Sequence, residues 1–175
     1  VVLRREDVAG DPAHVGSELG HAGVVVPVRR HPVALLPGGL RHDGGDRLAA
    51  EFLRADGPRG RRGSAPIDYE MEERLRDALQ ELVPCPFLGE ETGLTPGPDQ
   101  TSTWIVDPHD GTFEFTSGRR GSAVSVALLR NGIPVLGVVC SPLSPDRGRD
   151  TIAWAEDAGP LLRNGKPQNV DLSSR

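Results

Sequence analysis

The sequence WIVDPHDGT, from Trp104 to Thr112, decides how the rest of this chain is interpreted. Its three apolar residues predict a short buried strand. Two acidic residues, a proline and a glycine follow, and these residue types are typical of a tight turn. The side chains of such a turn lie where a strand ends, at the rim of a sheet.

Asp107 and Asp110 are the two acidic residues of that turn, three positions apart. Because Pro108 restricts the backbone, both carboxylates can face one site. The backbone carbonyl of His109, between them, can add a further oxygen ligand. Taken alone, the same residues are more often an ordinary Asp/Pro/Gly turn that binds nothing.

The end of the turn predicts a phosphate site next to Asp107 and Asp110, whose carboxylates are candidate metal ligands. Gly111 lets the chain approach a ligand closely. Thr112 is expected to open a brief helix through residues 113–117, and the unpaired amides at a helix start can hold a phosphate. Adjacent metal and phosphate sites are what metal-assisted phosphoryl transfer requires. For Thr112 alone, the alternative is a plain helix cap.

Two further acidic residues occupy comparable positions. Glu90 follows the short apolar strand Phe87-Leu88, although by itself it is also typical of a solvated surface residue. Asp68 precedes the clearest amphipathic helix of the chain, where a plain helix cap is the alternative. Carboxylates gathered at a rim repel one another unless a cation neutralises them. Hard oxygen ligands select Mg²⁺, Mn²⁺ or Ca²⁺ over zinc.

The remaining pattern predicts a layered α/β or α+β fold, with helices mixed with mainly antiparallel hairpins. Apolar residues recur every three or four positions from Met71 to Leu82, which predicts a helix that Pro84 ends. Asn131-Gly132 predicts a hairpin turn. The other predicted elements are a helix at 46–55, strands at 124–129, 135–140 and 152–155, a turn at Asn164-Gly165, and loops at 57–66 and 93–101. Residues 1–45 are expected to be loop-rich or partly disordered.

Composition argues against some classes of function. The 175 residues suit one domain, and the net charge of −5 argues against a general nucleic-acid-binding protein. An Arg-rich loop at Arg59, Arg61 and Arg62 leaves a nucleic-acid role as a rival, although no aromatic stacking residues accompany it. A phosphate substrate remains compatible with the charge, because a bound divalent metal reverses the local field.

The cysteines and the apolar segments predict a cytoplasmic protein with no membrane partner. Cys85 and Cys140 belong to no CxxC or Cys/His metal pattern and are expected to be free thiols. No apolar run approaches the ~20 residues of a membrane helix, and the N-terminus has no signal-peptide pattern. The chain begins with Val1 rather than Met, so its natural start is expected upstream.

Two motifs resemble those of the inositol monophosphatase superfamily. Gly89-Glu90-Glu91-Thr92 resembles its GEE-(S/T) motif. Trp104 to Thr112 resembles its W-(I/V)-(I/V)-D-P-(I/L)-D-G-T signature at every position except His109. Residues 124–142 and 154–167 resemble the strands and turns that follow in the family, so the likeness covers most of the chain after residue 46.

This resemblance implies a fold and an activity. The fold would be the N-terminal portion of an αβαβα sandwich, a mostly antiparallel sheet with helices. The activity would be Mg²⁺-dependent hydrolysis, with Mn²⁺ as a possible substitute, of a phosphate monoester on a small polyol, sugar or nucleotide. Metal-activated water would attack phosphorus directly, and the enzyme would be lithium-sensitive. A homodimer is a possible assembly, with no nucleic-acid partner.

The resemblance also implies roles for individual residues. Glu90, Asp107 and Asp110 would be metal ligands through their carboxylates, and His109 through its backbone carbonyl. Asp68 would help to hold a further metal.

The catalytic and phosphate-binding roles fall on three residues. Glu90 and Thr112 would orient and activate the attacking water. The amides of Gly111 and Thr112 would bind the phosphate.

The sequence departs from the family pattern in three places. Glu114 replaces an asparagine, and His109 replaces an aliphatic residue. The WDxAAG motif of a second subdomain is not found, since Trp154 to Gly159 is expected to be a strand that ends in a polar turn. Residues 46–175 are therefore expected to form the N-terminal metal- and phosphate-binding subdomain without its C-terminal companion.

Two alternatives follow from these departures. The chain would be a non-catalytic metal- or phosphate-binding remnant, or it would belong to another branch of the superfamily. The branches considered are a 3′(2′),5′-bisphosphate nucleotidase and a fructose-1,6-bisphosphatase.

Overall fold

A computed structural model of the chain describes residues 38–61 and 63–169. The helices in these segments are α1 (Gly38–Phe52), α2 (Pro66–Leu82) and α3 (Thr112–Thr116). The strands are β1 (Phe87–Gly89), β2 (Gly93–Thr95), β3 (Ser102–Asp110), β4 (Ala123–Arg130), β5 (Ile133–Ser144), β6 (Gly148–Ala155), β7 (Leu162–Arg163) and β8 (Lys166–Pro167). Most of the segment expected to be loop-rich, residues 1–37, lies outside the described residues. For residues 38–45 the loop-rich expectation is wrong, because these residues form the first half of α1. The helix begins at Gly38 rather than Asp46 and ends at Phe52 rather than Ala55.

The strands form one mixed sheet in the order β2-β1-β3-β4-β5-β6-β7-β8. Strands β1 and β3 run parallel, and every other neighbouring pair is antiparallel. Asn131 and Gly132 join β4 to β5 with φ of 50° and 77°, and Asn164 and Gly165 join β7 to β8 with φ of 51° and 76°. Both predicted turns are therefore confirmed.

Helix α2 forms because its sequence buries one face. Ile67, Met71, Leu75 and Leu79 repeat every four residues and are all buried, which is the period of one helical face. The helix starts with a proline, whose fixed φ suits that position. It ends at Leu82, just before the proline that the sequence predicted would stop it.

The core lies between these helices and one face of the sheet. Trp104 and Val106 of β3 point into it, and Ile105 between them points to the opposite face. The indole Nε1 of Trp104 donates a hydrogen bond to the carbonyl of Val83, at 3.1 Å. This bond attaches the end of α2 to the middle of the sheet.

Two regions differ from their prediction. Residues 93–101 were expected to be a loop, but Gly93–Thr95 forms β2 and pairs with β1. Strand β3 continues beyond Val106 as far as Asp110, because β4 supplies backbone partners as far as Ala123. The expected acidic turn is therefore the irregular end of a strand, with a break in register between Asp107 and Asp110.

Other expectations are confirmed. Trp154 lies within β6 opposite Gly137, and the strand ends in a turn that contains Asp157 at φ 59°. Cys85 and Cys140 are both free thiols. In the part of the chain that the structure describes, no helix is long and apolar enough to cross a membrane.

Candidate functional site

The parallel pair of β1 and β3 places two acidic residues side by side at one edge of the sheet. Gly89 pairs with Val106, and the amide of Glu90 donates to the carbonyl of Val106 at 3.1 Å. The next residues along the two strands, Glu90 and Asp107, are therefore neighbours. Parallel strands end at the same edge, so this juxtaposition follows directly from the topology.

The environment of Glu90 at this edge changes its pKa. The pKa of Glu90 is raised to about 7, first by loss of hydration and then by its hydrogen bond with Asp107 and the charge of Asp107. Smaller contributions come from Glu91 and Asp68. Burial and nearby negative charge both disfavour the ionised form of a carboxyl group, so together they raise its pKa.

The neighbouring Glu91 belongs to the same acidic group. Its pKa is also raised, first by burial and then by the charges of Asp68 and Glu72. A hydrogen bond with Tyr69 acts in the opposite direction. Among the described residues, no lysine or arginine is a leading cause of the raised pKa of Glu90 or of Glu91. Several carboxylates thus converge on this edge of the sheet.

The irregular end of β3 orders residues 107–112, which contain the predicted metal ligands and are called the ligand loop. The amide of His109 donates to Oδ1 of Asp107 at 3.0 Å, and the hydroxyl of Thr112 donates to the carbonyl of His109 at 2.8 Å. That carbonyl retains a second lone pair for another partner. Asp107 is half-buried, whereas Asp110 is exposed.

Gly111 occupies a position that strongly favours glycine. It precedes α3 with φ 90° and ψ 31°, in the left-handed region, which costs residues with a Cβ free energy. An added Cβ would also lie 3.3 Å from Cα of Ser122. Thr112 begins α3 as predicted, and its amide is one of the helix-start donors that have no partner within the helix.

Asp68 and His109 form a buried pair. Their side chains are 2 % and 1 % exposed, and His109 Nδ1 lies 2.6 Å from Asp68 Oδ1. The other oxygen, Asp68 Oδ2, accepts the amide of Ala65 at 2.9 Å. The imidazole meets the ring of Phe115 edge-on, with centroids 4.3 Å apart. Asp68 is the third residue of α2 rather than the residue before it.

The side-chain role of His109 was missed by sequence reasoning, which considered only its carbonyl. Strict alternation from Val106, which is buried, would turn residue 109 away from the core. The break in register after Asp107 changes that direction, and a bulge of this kind is not visible in the sequence.

Glu72 was also missed as a site residue. It is fully buried and accepts hydrogen bonds from the amides of Glu91 and Thr92, at 2.8 and 2.9 Å, and from the Thr92 hydroxyl. A Cβ at Gly89 would overlap the Glu72 carboxylate. The available signal was its position four residues after Asp68, which places both side chains on one face of α2.

The Arg-rich loop has a structural partner. Arg59 donates to both oxygens of Glu51 at 2.8 and 2.7 Å, and this interaction lowers the pKa of Glu51 to about 2. Arg61 is exposed, and Arg62 lies outside the described residues. Arg59 therefore has a partner within the chain, in α1, and its presence does not require a nucleic-acid ligand.

Glu90, Glu91 and Asp107 meet at one edge of the sheet, called the acidic edge, and supply the oxygen ligands that a hard cation prefers. Carboxylates gathered in one place are stabilised by a cation, and oxygen ligands suit Mg²⁺ or Mn²⁺. Within 38–61 and 63–169, however, no three His, Cys, Asp or Glu side chains are arranged so that they could hold a metal ion. The residues therefore match a hard cation by the type of their donor atoms, but their side chains are not arranged around one point.

Comparison with known proteins identifies the family. The model of the inositol monophosphatase family matches residues 64–174. The chain belongs to this family. Its members are generally metal-dependent, which agrees with an acidic edge in this position.

The curated relatives of the family include a probable inositol 1-monophosphatase of Mycobacterium tuberculosis. It is 33 % identical over 129 residues, which cover 70 % of this chain and 46 % of the relative. An inositol-1-monophosphatase of Caulobacter vibrioides is 42 % identical over 91 residues, which cover 51 % of this chain and 34 % of the relative. The chain therefore spans less than half the length of these two relatives.

Solved structures share the fold of this chain. An extragenic suppressor protein of Bartonella henselae aligns with a TM-score of 0.63 and 24 % identity, over 81 % of this chain and 54 % of that one. An inositol monophosphatase of Anabaena aligns with a TM-score of 0.59 and 25 % identity, over 74 % of this chain and 46 % of that one. The predicted family and the mixed α/β fold class are thus both confirmed.

Proposed function

We propose that this chain forms the metal- and phosphate-binding part of a phosphate monoester hydrolase acting on a small phosphorylated polyol, sugar or nucleotide. The observation that carries the proposal is the shared edge of β1 and β3. There the topology brings Glu90 beside Asp107, and Asp110 follows at the end of the same strand. Family membership supports a phosphatase, and the named relatives support an inositol phosphate as the first substrate to test.

The metal in this proposal is Mg²⁺, with Mn²⁺ as a substitute. The side chains of Glu90, Asp107 and Asp110 and the carbonyl of His109 would hold it. When bound, it supplies charge neutralisation for the phosphoryl oxygens and a lower pKa for bound water. Thr112 keeps the His109 carbonyl oriented through its hydroxyl hydrogen bond.

The remaining steps fall to residues of the chain. The Glu90 carboxylate accepts a proton from the attacking water, and the Thr112 oxygen orients that water through a hydrogen bond. The amides of Gly111 and Thr112 donate to the phosphate oxygens at the start of α3. Inhibition by lithium, a cytoplasmic location and a homodimer belong to the same proposal through the resemblance to the family.

The first test is phosphate release from inositol phosphates, fructose 1,6-bisphosphate and adenosine 3′,5′-bisphosphate, with and without Mg²⁺. Asp110→Asn is the test variant, and Asp146→Asn, in the exposed turn after β5, is the matched control. We expect Mg²⁺-dependent release that is lost in Asp110→Asn and retained in Asp146→Asn. The preferred substrate would also separate the inositol phosphatase from the nucleotidase and fructose-bisphosphatase alternatives.

A binding measurement separates an inactive site from a wrong assignment. Mn²⁺ titration followed by electron paramagnetic resonance reports metal binding without turnover. Binding that Asp110→Asn weakens, together with no phosphate release, would indicate the non-catalytic alternative. Failure of the wild-type chain to bind Mn²⁺ or release phosphate would contradict the proposed site.

A further inference from the structure

The buried contact between His109 and Asp68 changes the role of Asp68. We propose that His109 holds Asp68 inside the core as a positioning residue for the ligand loop, so that Asp68 does not ligate a metal. The proposed function implies metal binding by the other carboxylates at this edge, and this inference rests on that function for its metal measurements. It replaces the further metal that the resemblance assigns to Asp68.

The Asp68 carboxylate is buried and already hydrogen-bonded. Each of its oxygens already accepts a hydrogen bond, Oδ1 from His109 and Oδ2 from the amide of Ala65. The side chain is 2 % exposed, so a hydrated cation cannot reach it without opening the start of α2. Mg²⁺ gives up its water reluctantly, which makes a buried and already bonded oxygen a poor ligand.

The hydrogen bond between His109 and Asp68 fixes the orientation of the imidazole ring. The geometry points to Nδ1 of His109 as the donor, because the atom opposite it is a carboxylate oxygen, which is an acceptor. The buried Nε2 on the other side of the ring has no hydrogen-bond partner among the described residues. The ring is therefore oriented by Asp68 and by its edge-on contact with Phe115.

The backbone of His109 connects the buried pair to the ligand loop. The backbone amide of His109 is bonded to Asp107, and its carbonyl is bonded to Thr112. One residue thus joins a carboxylate ligand, a carbonyl ligand and helix α2, whose third residue is Asp68. An aliphatic residue, which the family signature has at this position, cannot donate to Asp68 and would leave Oδ1 without this partner.

Two substitutions at residue 109 separate positioning from simple packing. Asn in His109→Asn keeps a nitrogen donor near the place of Nδ1, whereas Leu in His109→Leu keeps apolar volume without a donor. We expect Mn²⁺ affinity to fall about tenfold in His109→Leu, the scale seen when a group that orients a metal ligand is lost. We expect His109→Asn to retain affinity within about threefold of wild type. Equal losses in the two variants would overturn the positioning role.

The number of bound ions tests the role of Asp68 itself. We expect Asp68→Asn to bind as many Mn²⁺ equivalents as the wild-type chain, because the buried carboxylate of Asp68 holds no ion. The loss of an equivalent in Asp68→Asn would show that Asp68 is a ligand and would overturn the inference.

A spectroscopic measurement on the full wild-type chain decides the inference even if a variant does not fold. The Nδ1–H signal of His109 in ¹⁵N-edited NMR spectra should persist in saturating Mg²⁺, because Asp68 stays bonded to the imidazole. Its disappearance on Mg²⁺ addition would show that Asp68 turns to the metal. If no metal binds at all, the proposed function fails, and the absence of this signal in the metal-free chain would separately refute the pair.

Discussion

At the scale of single residues, the ligand loop depends on one backbone conformation. Gly111 has φ 90°, and a Cβ there would contact the backbone at Ser122. Gly132 in the β4–β5 turn has a similar φ of 77°, but a Cβ there meets nothing within 4 Å. The two glycines therefore separate the cost of a left-handed conformation from the cost of a close contact.

We predict that Gly111→Ala destabilises the chain by about 2 kcal/mol and lowers Mn²⁺ affinity. The control Gly132→Ala should cost about 1 kcal/mol, the strain of a left-handed alanine, and leave metal affinity unchanged. Urea denaturation gives the free energies of unfolding, and Mn²⁺ titration gives the affinities. Equal destabilisation of the two variants would show that the Ser122 contact relaxes freely.

At the scale of elements, Glu72 connects helix α2 to the loop that follows β1. Its buried carboxylate accepts two amides and a hydroxyl from Glu91 and Thr92. Hydrogen bonds to a charged group contribute about 1.5–3 kcal/mol each when their loss leaves buried donors unpaired. This connection orders the segment that presents Glu90 at the edge of the sheet.

We predict that Glu72→Gln lowers the free energy of unfolding by about 2–3 kcal/mol, because an amide replaces one acceptor oxygen with a donor facing buried N–H groups. Glu73→Gln, one residue later on the exposed side of α2, should change it by less than about 0.5 kcal/mol. Chemical denaturation of both variants at neutral pH measures the difference. A stable Glu72→Gln would mean that the loop rearranges without this acceptor.

The elements also show what the sequence could and could not predict. Helix α2, the two Asn-Gly turns and the strands β4 to β6 follow from local patterns, and each is confirmed. The contact of His109 with Asp68 joins residues 41 positions apart in sequence, across a break in strand register that no local pattern reports. The roles of Glu90, Asp107, Asp110, Gly111 and Thr112 as ligands stay predictions, although the sheet topology places Glu90 and Asp107 together.

At the scale of the whole molecule, the helices within residues 38–61 and 63–169 all pack on one face of the sheet. The strand pairings put Leu88, Ile105 and Trp154 in one row across the other face, with Ala127 and Gly137 between them. The three large side chains of this row are 41 %, 38 % and 37 % exposed. A second copy of the chain that packed on this row would remove these apolar side chains from water, which favours association.

The two tryptophans report on the two faces, because Trp104 is 2 % exposed and Trp154 is 37 % exposed. We predict that iodide quenches about half of the tryptophan fluorescence of the chain, and that Trp154→Phe removes the quenchable part, since only the solvent-facing indole meets the ion. Stern–Volmer titrations of both proteins measure this. Shielding of Trp154 that disappears on dilution would show that a second copy covers the face and would support the proposed homodimer. Shielding at every concentration would contradict the open face, because the chain itself would then have to cover that row.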